Sequence, residues 1–196
     1  MNKIITTLTA LLLPILALAL SPQEVVDKAA AKIRSVESLT AKFTGTTNGT
    51  LVSSGKKFCI DTGGFGIWYN GTDMWTYSQQ TGETTVTSPT PSELLETNPL
   101  EIINSYSKRF TATKLGDQGG KYTLKLTPKA KGESVKAATL VIDTRTWLPM
   151  SIDMVLSNGS RFTLNIKSIS EGNALPTSNF EYPQKKYPGV EVVDLR

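Results

Sequence analysis

The 196-residue chain contains no histidine and only one cysteine. The lack of histidine excludes serine–histidine–aspartate triads and most zinc sites, and one cysteine cannot build a disulfide framework. Cys59 lies between Phe58 and Ile60 in a strand-like segment, where a lone thiol is typically a small buried hydrophobic group. Catalysis would then need a serine–lysine or carboxylate pair. No spacing indicates either, so we expect no enzyme, no catalytic residue, no metal site and no cofactor.

An excess of charge of one sign is also missing. The chain has 21 Lys and Arg against 17 Asp and Glu, a net charge of +4, and the basic residues are scattered. This balance is too mild to indicate a nucleic-acid partner. The GxxxxGK[ST] phosphate loop is absent as well, so energy for any transport would have to come from a partner protein.

The N-terminus has the pattern of a targeting segment. Lys3 precedes the apolar run 4–20, and Ala17-Leu18-Ala19 fits a small-x-small cleavage site. We interpret residues 1–19 as a cleaved signal peptide and residues 20–196 as one exported domain. The alternative is an N-terminal membrane anchor, for which the length of the apolar run is borderline.

A helix and then a long series of strands follow. Ser21-Pro22-Gln23-Glu24 is a capping pattern, and apolar residues then recur at helical spacing for about four turns. From Leu39 the apolar period changes to two, which is typical of strands. Repeated Gly-containing turn signals divide the rest into about eleven strands.

Two neighbouring strands of this series carry large aromatic residues. Asn70-Gly71 predicts a hairpin between them. Trp75 and Tyr77 are two residues apart and therefore share one face, whereas Trp68 and its neighbour Tyr69 point to opposite faces. These side chains indicate either a thick core or an apolar concave surface.

A pair of short helices interrupts the strands. Thr90-Pro91-Ser92-Glu93 and Asn98-Pro99-Leu100-Glu101 both repeat the capping pattern. Two proline-started helices cannot form one rod, so we expect a lid. The order of elements predicts a mainly β, α+β fold: a half-open antiparallel barrel of about 11 strands, with an N-terminal helix and two short helices that form a lid.

The chain resembles the LolA family of periplasmic lipoprotein carriers along almost the whole mature length. Its most recognisable segment is Asn70 to Tyr77, an Asn-Gly turn before Trp-x-Tyr, followed by Thr84-Thr85-Val86-Thr87. Further similar segments are Leu39-Thr40-Ala41-Lys42-Phe43-Thr44, Pro91 to Leu95, Pro99 to Ile103, Leu124 to Lys129, Val141-Ile142-Asp143, Leu148-Pro149, Phe180 and the ending Tyr187 to Asp194.

The resemblance implies a monomeric carrier in the periplasm that moves lipoproteins from the inner to the outer membrane. Its partners would be acylated lipoproteins or other lipids and an inner-membrane lipoprotein-releasing transporter, with an outer-membrane receptor as a further candidate. In the family an arginine near the second strand holds the lid shut. That position falls near Gly55 here, beside Lys56 and Lys57, so the arginine is missing or moved.

The resemblance also implies an apolar cavity for acyl chains. Each candidate residue has ordinary core packing as its alternative. The expected lining residues are Phe43, Phe58, Trp68, Trp75, Tyr77, Leu94, Leu95, Leu100, Ile102, Ile103, Met150, Met154 and Phe162.

A second reading remains beside the carrier. The same scaffold serves in lipid-binding or envelope-sensing modules, in which a bound lipid or peptide regulates another protein. A stable complex with a membrane-bound regulator would favour that reading.

Overall fold

The computed structural model describes residues 20–196, so the predicted signal peptide lies outside the described residues. Within the described range no helix combines the length and the apolar character needed to cross a membrane. The helices are α1 (Pro22–Ser35), α2 (Pro91–Thr97), α3 (Glu101–Asn104) and α4 (Tyr106–Arg109). Two short 3-10 helices follow near the end, Thr177–Phe180 and Gln184–Lys186.

Twelve strands form one sheet that does not close. Their order across the sheet is β12-β6-β5-β4-β3-β2-β1-β11-β10-β9-β8-β7. The first six are β1 (Ser38–Gly45), β2 (Gly49–Ser54), β3 (Lys57–Asp61), β4 (Phe65–Tyr69), β5 (Met74–Ser78) and β6 (Glu83–Thr87). The others are β7 (Phe110–Gln118), β8 (Lys121–Pro128), β9 (Val135–Asp143), β10 (Leu148–Leu156), β11 (Arg161–Gly172) and β12 (Glu191–Asp194).

The half-open, mainly β architecture with a helical lid is therefore confirmed. Two details differ from the prediction. The sheet has twelve strands instead of about eleven, and β12 joins the edge strand β6 in parallel. Because β12 and β6 are separated by more than a hundred residues, no hairpin forces their antiparallel pairing.

The N-terminal helix is capped as predicted. Ser21 Oγ accepts the amide of Glu24, and the Glu24 carboxylate accepts the amide of Ser21. The apolar stripe of α1 is buried and packs against β7, β10 and the lid helices α3 and α4. Helix and lid together therefore cover the concave face of the sheet, where the main core lies.

The lid has three short helices instead of the predicted two. Thr90 and Glu93 form the expected capping box of α2. The second capping pattern is only partly realised: Asn98 Oδ1 accepts the amide of Leu100 at 3.1 Å, but the helix starts at Glu101 without a side-chain cap. Ser105 then ends α3 and donates its hydroxyl to the Glu101 carbonyl at 2.7 Å.

Candidate functional site

The floor of the candidate site is built from rows of residues that are paired across β1 to β4. In one row Leu39 is opposite Ser53, Ser53 opposite Phe58, and Phe58 opposite Tyr69. Because side chains alternate along a strand, all members of such a row point to the same concave face. The Phe58 and Tyr69 rings pack with their centroids 5.4 Å apart, so the row gives a continuous, largely apolar floor.

A cavity of about 620 Å³, called cavity A, lies between this floor and the lid. Helix α1 contributes Ile33 and Arg34, and the lid contributes Leu94 and Leu100. The volume falls within the range of about 300–1,000 Å³ that is usual for small-molecule sites. Its other lining residues are Val36, Leu39, Ser53, Gly55, Lys56, Phe58, Tyr69, Gly71, Asn98, Glu101 and Asn104.

A second cavity of about 320 Å³, called cavity B, lies on the other side of the lid. Phe43, Phe65 and Phe162 border it, and Glu96 is its one charged lining residue within the described chain. Leu94 and Leu100 line cavity A, whereas Thr97 and Pro99 line cavity B. The lid segment 94–100 therefore contributes to the walls of both cavities.

The polar groups of cavity A gather near α3. Burial raises the pKa of the Glu101 carboxyl, against the lowering effects of a hydrogen bond from Asn104 and of the charges of Arg109 and Lys56. Asn104 Oδ1 is buried without a hydrogen-bond partner among the described residues. The Tyr69 hydroxyl donates a hydrogen bond to the Gly71 carbonyl at 2.8 Å, so it does not need a ligand partner. One end of an otherwise apolar cavity therefore holds a desolvated carboxyl and an unused acceptor.

Arg109 fastens the lid to the sheet. Its guanidinium donates to the Pro91 carbonyl at 3.2 Å and to Ser92 Oγ at 2.9 Å. It also forms an ion pair with Glu133 at 2.6 Å, and both side chains are largely buried, at 21% and 14% exposure. The start of α2 is thus tied to the loop between β8 and β9. Gly55, where the family arginine would fall, instead forms an open turn at cavity A.

The predicted lining residues separate into three groups. Five line a cavity: Phe58, Leu94 and Leu100 at cavity A, and Phe43 and Phe162 at cavity B. Four others are fully buried in the concave core without lining either cavity: Leu95, Ile102, Ile103 and Met154. Four lie elsewhere: Met150, Trp68, Trp75 and Tyr77.

Met150 lies at an irregularity of β10, which takes it out of the pairing register with β9 between Pro149 and Ser151. Met150 therefore lies outside the regular alternation of Ile152 and Met154 and is only half-buried. The even spacing of Met150, Ile152 and Met154 in the sequence gives no sign of this bulge.

Trp68, Trp75 and Tyr77 lie on the convex face, away from both cavities. Trp68 is paired with Trp75, while its neighbours Ile67 and Tyr69 point into the concave core. The convex aromatics are covered by the C-terminal segment: Trp68 packs edge-on against Tyr182 and Tyr187 at 5.5 and 5.9 Å.

The packing of the convex face also explains why position 66 is a glycine and why the Cys59 thiol is partly buried. A Cβ at Gly66 would meet the Trp68 ring at 2.3 Å, so only glycine allows the ring to lie there. Cys59 is paired with Trp68 and is half-buried on this same face. Burial raises the pKa of its thiol, which disfavours the reactive thiolate.

Sequence reasoning missed several cavity residues. Tyr69 was recognised only as facing away from Trp68, and Arg34, Lys56, Asn98 and Asn104 were not assigned to the site. Hairpin pairing gives one usable signal, because Phe58 must share a face with Tyr69 once β3 and β4 are paired. The polar residues come from the end of α1, a hairpin turn, the C-cap of α2 and the short helix α3, and no periodic pattern places them.

Comparisons with known proteins agree with this architecture. The family model described as "Outer membrane lipoprotein carrier protein LolA" matches residues 17–158. No curated protein sequence matches the chain. An uncharacterized conserved protein from Thermus thermophilus superposes with a TM-score of 0.58 at 14% identity, covering 88% of this chain and 98% of that one. This likeness concerns the fold alone.

Two further solved structures are more distant. The LolA superfamily protein NE2245 from Nitrosomonas europaea has a TM-score of 0.42 at 13% identity, with 84% of this chain and 99% of that chain covered. The MucA/MucB complex of Pseudomonas aeruginosa gives 0.41 at 11% identity, with 84% and 62% covered. The family match over residues 17–158 rests on the sequence itself. The chain belongs to the family of outer-membrane lipoprotein carrier proteins of the LolA type.

Proposed function

We propose that this protein is a periplasmic carrier that takes up the acyl chains of lipoproteins beneath its lid and moves them from the inner to the outer membrane. Members of the LolA family are carriers or binding modules, which agrees with a binding role. The observation that carries the proposal is the pair of cavities on the concave face, both of which the lid segment 94–100 helps to line.

The energetics of acyl transfer fit a lid that opens. Each methylene removed from water stabilises a complex by about 0.8 kcal/mol, so a lipid anchor needs extensive apolar cover. Cavity A in the closed state has the volume of one small ligand. A lipoprotein with several acyl chains would need both cavities, and therefore displacement of α2 and α3.

Release must be as feasible as binding. The lid is held by polar contacts from Arg109 to Pro91 and Ser92 and by the buried apolar side chains Leu95, Leu100, Ile102 and Ile103. Opening the lid would expose these side chains to water, so it needs energy that a partner or the bound acyl chains must supply. In this proposal an inner-membrane transporter loads the carrier while the lid is open, and an acceptor at the outer membrane receives the cargo.

The test is mass spectrometry of the mature protein purified without detergent from its native periplasm. We expect acylated N-terminal cysteine peptides in stoichiometric amount. Leu94→Glu, which places a charge in cavity A, should abolish their recovery. Leu115→Glu is the matched control, because Leu115 is exposed on β7. Free lipids without acylated peptides in the wild-type protein would contradict lipoprotein carriage and support a lipid-binding module.

A further inference from the structure

Cavity A is electrically asymmetric. Its charged lining residues are two cations, Arg34 and Lys56, and the carboxyl of Glu101. Both cations are exposed at the rim, and among residues 20–196 neither forms an ion pair. Cavity B has only Glu96. The two ends of the concave face therefore differ in sign, and the cationic end belongs to the larger cavity.

One carboxyl group cannot balance two cations, so the lining keeps an excess of positive charge. Burial raises the pKa of the Glu101 carboxyl, whereas the nearby charge of Lys56 lowers it. Beside it, the buried Asn104 Oδ1 has no donor, and an unpaired buried acceptor favours a ligand that brings an N–H or O–H group.

Apart from Ser53 and Asn98, the other side chains that line the cavity are mostly apolar. Leu39, Phe58 and the lid residues Leu94 and Leu100 form its walls. A ligand that satisfies the whole cavity must therefore combine three parts: an anion for the cationic rim, a donor close to that anion, and an alkyl chain. A glycerophosphate headgroup with an acyl chain has all three, because its phosphate is anionic and its glycerol hydroxyl is a donor.

We propose that cavity A selects lipids with an anionic glycerophosphate headgroup, with the phosphate between Arg34 and Lys56, a hydroxyl at Asn104, and one acyl chain over Phe58. This inference rests on the proposed lipid-binding function and specifies its headgroup chemistry. Selection by headgroup would let the closed protein hold one phospholipid chain in the absence of a lipoprotein.

The test compares two lysolipids with the same acyl chain, below their micelle concentrations, by titration calorimetry. Both carry a phosphate, a free glycerol hydroxyl and one acyl chain, but lysophosphatidylglycerol has a net negative charge, whereas the choline of lysophosphatidylcholine makes it zwitterionic. If Arg34 and Lys56 each contribute about 0.7 kcal/mol, as exposed ion pairs do, the anionic lipid should bind about tenfold more tightly. The preference should shrink as salt is raised, because the rim charges are exposed.

Variants assign the preference to residues. Arg34→Gln and Lys56→Gln should each weaken binding of the anionic lipid about three- to fivefold and weaken binding of the zwitterionic lipid less, because its choline ammonium offsets the phosphate charge. Lys125→Gln is the control, because Lys125 is exposed between the buried Leu124 and Leu126 and thus points to the convex face. All three positions are exposed, so folding should be preserved, which thermal unfolding will verify.

The outcomes separate the two proposals. Equal affinity for both lysolipids, or an equal loss of affinity for both in the rim variants, would overturn headgroup selection and leave lipid binding intact. Binding of neither lysolipid would overturn both proposals. Binding of free glycerol phosphate as tight as that of the anionic lipid would assign the rim to a soluble phosphate and overturn the lipid reading.

Discussion

Loss of the Arg109 contacts should open the lid without unfolding the sheet. Arg109→Gln removes an ion pair with Glu133 and at least one of the two hydrogen bonds to α2. A hydrogen bond from a charged group contributes about 1.5–3 kcal/mol. An exposed ion pair contributes up to about 1 kcal/mol, which is a lower bound for the largely buried pair with Glu133. Because Arg109 is one-fifth exposed and glutamine retains one donor, we expect local opening to become easier by about 1–3 kcal/mol.

Amide hydrogen exchange measures this local opening. A change of about 1–3 kcal/mol predicts exchange about 5- to 150-fold faster in peptides from α2. Peptides from β8 and β9, which pair with each other in the sheet, should change little. Uptake of a fluorescent fatty acid should also become faster, because the lid opens more often.

The matched control is Arg145→Gln. Arg145 also pairs with a carboxylate, Asp143, but its side chain is 81% exposed and far from the lid in the β9–β10 connection. Equal exchange of α2 in wild type and Arg109→Gln would refute the latch. A uniform acceleration across α2, β8 and β9 would also refute it, because it would mean global destabilisation.

Three further changes test other parts of the account. Leu95→Ala, at a fully buried lid position, should cost about 2–5 kcal/mol of unfolding free energy in urea titrations. Trp68→Ala should cost about 3–5 kcal/mol through its contacts with Tyr182 and Tyr187, yet leave lipid affinity unchanged in calorimetry; a large affinity loss would contradict its convex placement. The raised pKa of Glu101 means that the unfolded chain ionises first, so stability falls as pH rises from the ordinary value of 4.5 through the folded value. Glu101→Gln should therefore raise Tm relative to wild type more at about pH 7 than at about pH 4. A larger gain in Tm at pH 4 would contradict a raised pKa of Glu101 in the folded protein.

The chain's local patterns predicted the elements well. The capping box at Ser21 and the proline at the start of α2 are local signals, because the hydrogen bonds involved span three residues. Strand positions followed from alternation and glycine turns, and the Asn70 turn places its side chain on the amides of Thr72 and Asp73. The order of the helices and strands along the chain then predicted a half-open sheet with a lid.

The face that each strand turns to the cavity was harder to predict. Strand β4 is buried on both faces, so alternation does not distinguish Trp68 from Tyr69. The deciding event is non-local: the C-terminal segment returns to cover Trp68, and Phe180 packs beneath Lys57 on the same side. A segment that reads as a loop gives no sign of which face it will cover.

The polar end of cavity A was not predictable for a related reason. Arg34 comes from the last turn of α1, Lys56 from a hairpin turn, and Asn104 from a four-residue helix. Their proximity depends on how helix and lid pack against the sheet. Phe58, Leu94 and Leu100 line cavity A, but large apolar character alone does not mark the concave side, because Trp68 lies on the convex face.

A fluorescent label beneath the lid tests the central claim most directly. Leu94→Cys in a Cys59→Ser background places an environment-sensitive dye at cavity A, because Leu94 lines it and is half-buried. Lys125→Cys in the same background is the control label on the convex face. Addition of a triacylated cysteine lipopeptide should shift the emission of the Leu94 label alone, and the same peptide without acyl chains should shift neither. No shift with the acylated peptide, or equal shifts with both peptides, would contradict acyl binding beneath the lid.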